Sequence, residues 1–163
     1  MAPGFALDPE QLERRYRDIQ TQVHPDRFAH AGAAERRASM QMTTQVNEAY
    51  RTLRSPVQRA RYLLELSGID VGFETNTAMP PAFLMEQMEL RETLEKALAD
   101  RKIEALGRIQ DDLSDEKLLL EEKIKEAIDI DKNLAAASDL VRKLMFLEKL
   151  GEEIDAAYET LEA

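Results

Sequence analysis

The chain has 163 residues, a net charge of −10 and no cysteine, so disulfides, thiolate zinc sites and cysteine nucleophiles are excluded. Apolar residues make up 44% and charged residues 33%, with six Gly and six Pro, a balance that suits long solvent-facing helices better than a turn-rich sheet protein. No run of about 18 apolar residues is present and no basic segment precedes an apolar one at the start, so neither a membrane span nor a signal peptide is expected, and a cytoplasmic location is.

Charge divides the chain. Residues 1–66 carry ten Arg, no Lys and eight Asp/Glu, a net of +2, and residues 67–163 carry a net of −12. Two parts with different partners are expected. The acidic second half argues against nucleic acid as a partner.

The first helix start is marked by "LDPEQL". Asp8 can cap, Pro9 takes the first helical position and Gln11 the capping-box position, while Leu7 and Leu12 have the spacing of a hydrophobic staple. Leu12, Tyr16, Ile19 and Val23 then form one stripe. Pro25 disfavours helical geometry at His24 and ends the helix there. "DRFAHAG" reads as a loop. A second helix over about Ala33 to Arg54 is predicted with Ala38, Met42, Val46, Ala49 and Leu53 on one face. Ser55–Pro56 stops it and starts a third, whose stripe is Val57, Ala60 and Leu64.

Residues 67–81 show no sustained period and contain two of the six glycines and two of the six prolines. They read as a linker between domains at 1–66 and 82–163. Three more helices are predicted. One covers about Ala82 to Leu98. The next runs from about Arg101 to Ile128 through Ile103, Leu106, Ile109, Leu113, Leu120, Ile124 and Ile128. The last runs from about Leu134 to Leu161 through Leu140, Leu144, Leu147, Ile154 and Leu161. The expected fold is all-α: a helical hairpin followed by a three-helix bundle.

Two features stand out from this frame. His24, Pro25 and Asp26 lie at the tip of the hairpin. By themselves they could be an ordinary turn, since turns favour Pro and Asp, but they sit between two amphipathic helices, the first of which carries Arg14, Arg15 and Arg17 off its apolar stripe. The second feature is a surplus of apolar residues in "AFLMEQMELRETLEKAL". At about 100° per residue, Phe83, Leu90, Leu94 and Ala97 share one face, and Leu84, Met85 and Met88 fall nearly opposite. A bundle helix needs one buried face. The second stripe, bordered by Glu89 and Glu92, either packs on the first domain or is a docking patch where Met adapts to a partner. Phe146 lies off the last helix's stripe, as a second anchor or as a widening of the core.

The HPD tripeptide with "NEAYRTL" resembles a J-domain. Taken with "RARYLLELSGID", "FLMEQMELRE" and "VRKLMFLEKL", the chain resembles the HscB family of J-domain co-chaperones of iron–sulfur cluster biogenesis over most of its length. The resemblance implies that His24, Pro25 and Asp26 contact a DnaK-type ATPase chaperone, HscA in the family, and stimulate its ATP hydrolysis. Arg14 and Arg17 would lie on the basic docking face, with Arg27 beside the loop. The family's C-terminal domain binds the cluster scaffold IscU, and the implied contact residues are Leu84, Met85, Met88, Glu89, Glu92 and Phe146. No cofactor of the protein's own is implied. The family also carries a short apolar helix I ahead of the segment matching "PGFALD". Here the sequence opens "MAPGFALD", so one packing face of the J-domain is expected to be uncovered and its stability lower.

Other chemistries have less behind them. A His–Asp general base lacks a nucleophile or a Gly-rich phosphate loop beside it, so no enzyme is expected. His24 and His30 alone make a poor metal site. "DIDKNL" mimics a calcium loop through Asp129, Asp131 and Asn133, but Leu134 and Leu140 stand where Gly and Glu are required, so a helix-to-helix turn is expected. The alternative function is a general J-protein presenting unfolded clients, which would not need the acidic border at Glu89 and Glu92.

Overall fold

In the computed structural model, residues 3–72 and 79–162 are described, the side chain of Glu162 excepted. Six α-helices are found among them: α1 (Pro9–Val23), α2 (Ala33–Arg54), α3 (Pro56–Leu66), α4 (Pro81–Ala99), α5 (Ile103–Lys125) and α6 (Leu134–Glu162). The fold is all-α, as expected.

Local chemistry sets the boundaries. Asp8 Oδ1 accepts from the backbone N–H groups of Glu10 and Gln11, at 2.9 and 3.2 Å, which satisfies two donors that the first turn leaves free. Pro9 follows at the first helical position. At the α2–α3 corner, Ser55 closes one helix and caps the next: its N–H donates to Arg51 O, and its Oγ accepts from Gln58 N at 3.3 Å. Pro56 then fixes the start of α3.

α1 and α2 form the hairpin, and their interface is more polar than periodicity suggests. On α2, Ser39 is buried and Thr43, Val46, Asn47, Tyr50 and Leu53 are half-buried, while Ala38, Met42 and Ala49 of the expected stripe are exposed. The reason lies in what α1 presents. Tyr16 stacks on Tyr50 with ring centroids 4.0 Å apart and 16° between planes. Its hydroxyl donates to Asn47 Oδ1 at 2.9 Å. Aromatic and hydroxyl side chains therefore define the contact face, and it is rotated from the one that the apolar residues mark. Ile19 of α1 is likewise exposed. The exposed side of α2 leaves an open groove against α3, lined in part by Gln45, Ala49, Leu53 and Tyr62.

α4, α5 and α6 form the bundle. Leu106, Ile109, Leu113, Leu120 and Ile124 of α5 meet Val141, Leu144, Leu147, Leu150 and Ile154 of α6 in its centre. Ile103, expected in the stripe, is exposed beside the α4–α5 turn. α3 packs on α6, and its Val57, Ala60, Leu63 and Leu64 join the same buried cluster. Val71 and Met79, both within the expected linker 67–81, are buried there too. Residues 73–78 between them lie outside the described residues.

The α helix of α5 passes at Lys125 into a π turn, Glu126–Ile130. Asp131 N donates to Glu126 O and Asn133 N to Ala127 O, each at 2.9 Å. Lys132 has φ 55°, and α6 begins two residues later. The expected helix-to-helix turn is thus a widened turn followed by a left-handed residue.

Candidate functional site

The HPD loop is built by the backbone. Pro25 holds His24 at φ −58°, ψ 131°, which takes it out of the helix. Pro25–Phe28 then make a short 3-10 turn, with Arg27 N donating to His24 O at 3.0 Å. The imidazole caps this turn: His24 Nδ1 accepts from Asp26 N at 3.3 Å. Nδ1 is then the acceptor, which leaves Nε2 as the donor. The Asp26 carboxylate lies 3.5 Å from Nδ1 and is exposed. His24 and Asp26 are both displayed to solvent and Pro25 is half-buried beneath them.

Two α2 side chains that the apolar pattern does not reveal hold the base of the loop. Ser39 Oγ and Thr43 Oγ1 both donate to Val23 O, at 2.6 and 3.1 Å. They satisfy the last carbonyl of α1 and tie it to α2. Arg27 folds back along the loop, its guanidinium donating to Thr21 O at 3.3 Å.

The arginines of α1 are exposed and partly paired. Arg14 lies 3.6 Å from Glu10, and Arg17 lies 2.9 Å from Glu13. Such exposed pairs one helical turn apart are weak, so both guanidiniums can be recruited by a partner's carboxylates. Glu13 has a second role. Tyr50 donates its hydroxyl to Glu13; this bond, then Arg17, holds the carboxylate below its ordinary value, and the same bond, then burial, holds the Tyr50 phenol above its own.

In the bundle, α4 presents both of its stripes as expected. Phe83, Leu94 and Ala97 are buried and Leu90 is half-buried. Leu84 is 37% exposed, Met85 and Met88 each 62%. Glu89 and Glu92 are exposed beside them. The surplus stripe does not pack on the hairpin. Arg91 anchors the helix, donating through Nε and Nη2 to both carboxylate oxygens of Glu153 on α6, at 3.0 and 3.1 Å. Phe146 is half-buried and packs against the core, edge-on to Phe83 with centroids 6.0 Å apart. Lys143 Nζ stands 5.5 Å from the Phe83 ring. Phe146 therefore borders the patch from within, as part of the packing beneath α4.

Comparisons agree with this layout. Residues 79–155 match the family described as the HSCB C-terminal oligomerisation domain. A co-chaperone protein HscB homolog of Burkholderia vietnamiensis is 53% identical over 158 residues, covering 97% of this chain and 90% of the relative. One from Aromatoleum aromaticum is 49% identical over the same length. Among solved structures, chaperone HscB from Vibrio cholerae is similar with a TM-score of 0.86 and 36% identity, covering 99% of this chain and 94% of that one. The human co-chaperone protein HscB is similar with a TM-score of 0.88 and 30% identity, covering 95% and 77%.

A hairpin with an exposed HPD tip, carried on a helical bundle of this kind, defines a J-type co-chaperone. The chain belongs to the HscB co-chaperone family.

Proposed function

We propose that this protein is a two-ended adaptor of iron–sulfur cluster biogenesis. Its HPD loop and the arginine face of α1 dock on a DnaK-type chaperone, HscA, and stimulate ATP hydrolysis there. Its α4 patch binds the cluster scaffold IscU and delivers it to that chaperone. The observation that carries the reading is the pairing, in one chain, of a displayed His24–Asp26 loop with an exposed Leu84–Met85–Met88 stripe that the bundle does not need for its own core.

The physics of each end suits its partner. Charged, solvated side chains at the loop and on α1 favour fast, oriented encounter over tight burial. Adaptable methionines rimmed by carboxylates favour a desolvated apolar contact with a basic border on the scaffold. The protein's own chemistry is absent from this scheme. It raises the concentration of the scaffold at the chaperone, and the ATPase is the partner's.

A two-partner titration followed by amide chemical shifts tests the assignment. The chaperone is expected to perturb residues of the HPD loop and α1, and the scaffold residues of α4 near Leu84 and Met88. Scaffold-induced changes centred on the hairpin would contradict it. Equal binding by unrelated unfolded chains at α4 would point to a general J-protein instead.

A further inference from the structure

A groove of about 440 Å³ opens where the first turn of α1 and the last turn of α2 meet α3 and α5. It lies at the end of the hairpin opposite the HPD loop, and its size is that of an ordinary small-molecule site. Leu7, Pro9, Leu12 and Pro56 give it apolar walls. Its charges are unevenly matched. Arg59 is only 9% exposed. Among the described residues its one hydrogen bond runs from Nη1 to Leu53 O, at 2.5 Å, and Nε is enclosed without an acceptor. The guanidinium rests on the Phe5 ring, 4.6 Å from the centroid, in place of an ion pair. Asp129 is committed elsewhere: its two carboxylate oxygens accept from the N–H groups of Phe5 and Ala6, at 2.7 and 2.8 Å. Arg54 also lines the groove, 6.0 Å from the Tyr50 centroid, and likewise makes no ion pair among the described residues. Of the two carboxylates in the wall, Glu13 is taken by the Tyr50 hydroxyl and by Arg17. Glu121 is half-buried and unpaired. Two guanidiniums therefore stand against one free carboxylate.

We propose that this groove binds a small apolar monocarboxylate, with its carboxylate on Arg59 and Arg54 and its hydrocarbon body against Leu7, Leu12 and Pro56. A buried cation without a partner is costly, and a buried donor without an acceptor calls for a ligand or a water. A carboxylate supplies both needs, because its two oxygens match the spacing of guanidinium donors. One negative charge is what the imbalance leaves room for; a second would meet Glu121. Apolar walls with a few charged groups at one side are the usual means of orienting such a ligand. The local charges support the arrangement. Burial pulls the Arg59 guanidinium below its ordinary value, and Glu121 and Asp129 act against that pull without reversing it. Burial also raises the Glu121 carboxyl, which weakens its hold on Arg59 and its opposition to an incoming anion. The groove shares no residue with the HPD loop or the α4 patch, so this site is independent of the adaptor reading.

Titration of the full chain with phenylbutyrate, followed by amide chemical shifts, tests the site. Its neutral isostere phenylbutyramide is the control. Phenylbutyrate is expected to shift the amides of Leu7, Leu12, Arg54 and Arg59 and to saturate with a Kd of about 1 mM. The amide should bind at least about tenfold more weakly, since it keeps the hydrocarbon and loses the charge. Arg59→Gln removes the main anion partner but also a bond to Leu53 O, so two milder variants carry the test. Arg54 is exposed, and Arg54→Gln should weaken phenylbutyrate about threefold. Glu121→Gln should tighten it by a similar factor, because the opposing charge is gone. Equal binding of acid and amide would overturn the proposal. So would shifts centred on α4, the absence of saturation in the groove, or affinities that Arg54→Gln and Glu121→Gln leave unchanged.

Discussion

Ser39 Oγ donates to the carbonyl oxygen of Val23 at 2.6 Å, and this one bond joins the last residue of α1 to the only buried residue of α2. The HPD loop begins at the next residue. Its geometry is therefore set from α2, with Thr43 on the same carbonyl as a second support.

Ser39→Ala is expected to lower stability by about 1 kcal/mol, the ordinary net worth of such a hydrogen bond, because Thr43 still satisfies the carbonyl. Ser39→Ala with Thr43→Val leaves it without either donor and should cost about twice that or more. Denaturant unfolding measures both. Amide exchange at Asp26 and Arg27 is expected to rise in the double variant, since the loop's base is no longer tied.

Glu13 gives the hairpin an acid limit. Its folded-state pKa is held below 4.5 by Tyr50 first and Arg17 second. A depressed carboxylate contributes stability that is present above the unfolded value and is lost as pH falls through the folded one. Thermal midpoints should therefore drop on acidification below 4.5 in the wild type, and the drop should be shallower in Glu13→Gln and in Tyr50→Phe. Identical acid limbs in all three proteins would show that this pair does not contribute.

The patch on α4 should separate binding from folding. Leu84→Ala, Met85→Ala and Met88→Ala remove exposed groups and are each expected to shift stability by no more than about 0.5 kcal/mol. Scaffold affinity should fall by more, about 1 kcal/mol or above for the residues at the centre of the contact. Phe146→Ala is expected to behave differently. It packs edge-on to Phe83 against the core, so about 2 kcal/mol of folding stability goes with it, and its binding effect should be read only beside that loss. Calorimetric titration and denaturant unfolding on the same variants check the distinction.

The helix boundaries were legible because they are local. Asp8–Pro9, His24–Pro25 and Ser55–Pro56 act through neighbours within a few residues, and the structure uses each of them as the pattern implies. The double stripe of α4 was legible for the same reason: a helix shows both of its faces in one short segment. The α2 face was misread, because Ser39, Thr43 and Asn47 make the contact and a search for apolar spacing passes over them. Phe146 shows the limit from another side. Its position on the helix circumference does not say whether the neighbouring helix covers it, and α4 half covers it. Asp129 was hidden most completely. In sequence it is a fragment of a failed calcium loop. Its contacts with Phe5 and Ala6 span more than a hundred residues, and no local rule reaches that far.

Single-turnover ATP hydrolysis by the cognate chaperone tests the central claim most directly, run with the wild type, His24→Gln and Leu84→Ala/Met88→Ala, each with and without IscU. His24 caps an exposed loop, so its variant should stay folded while stimulation disappears in both conditions. The double variant should stimulate like the wild type without IscU and lose the IscU-dependent increment. Full stimulation by His24→Gln, or an undiminished IscU effect in the double variant, would contradict the two-ended account.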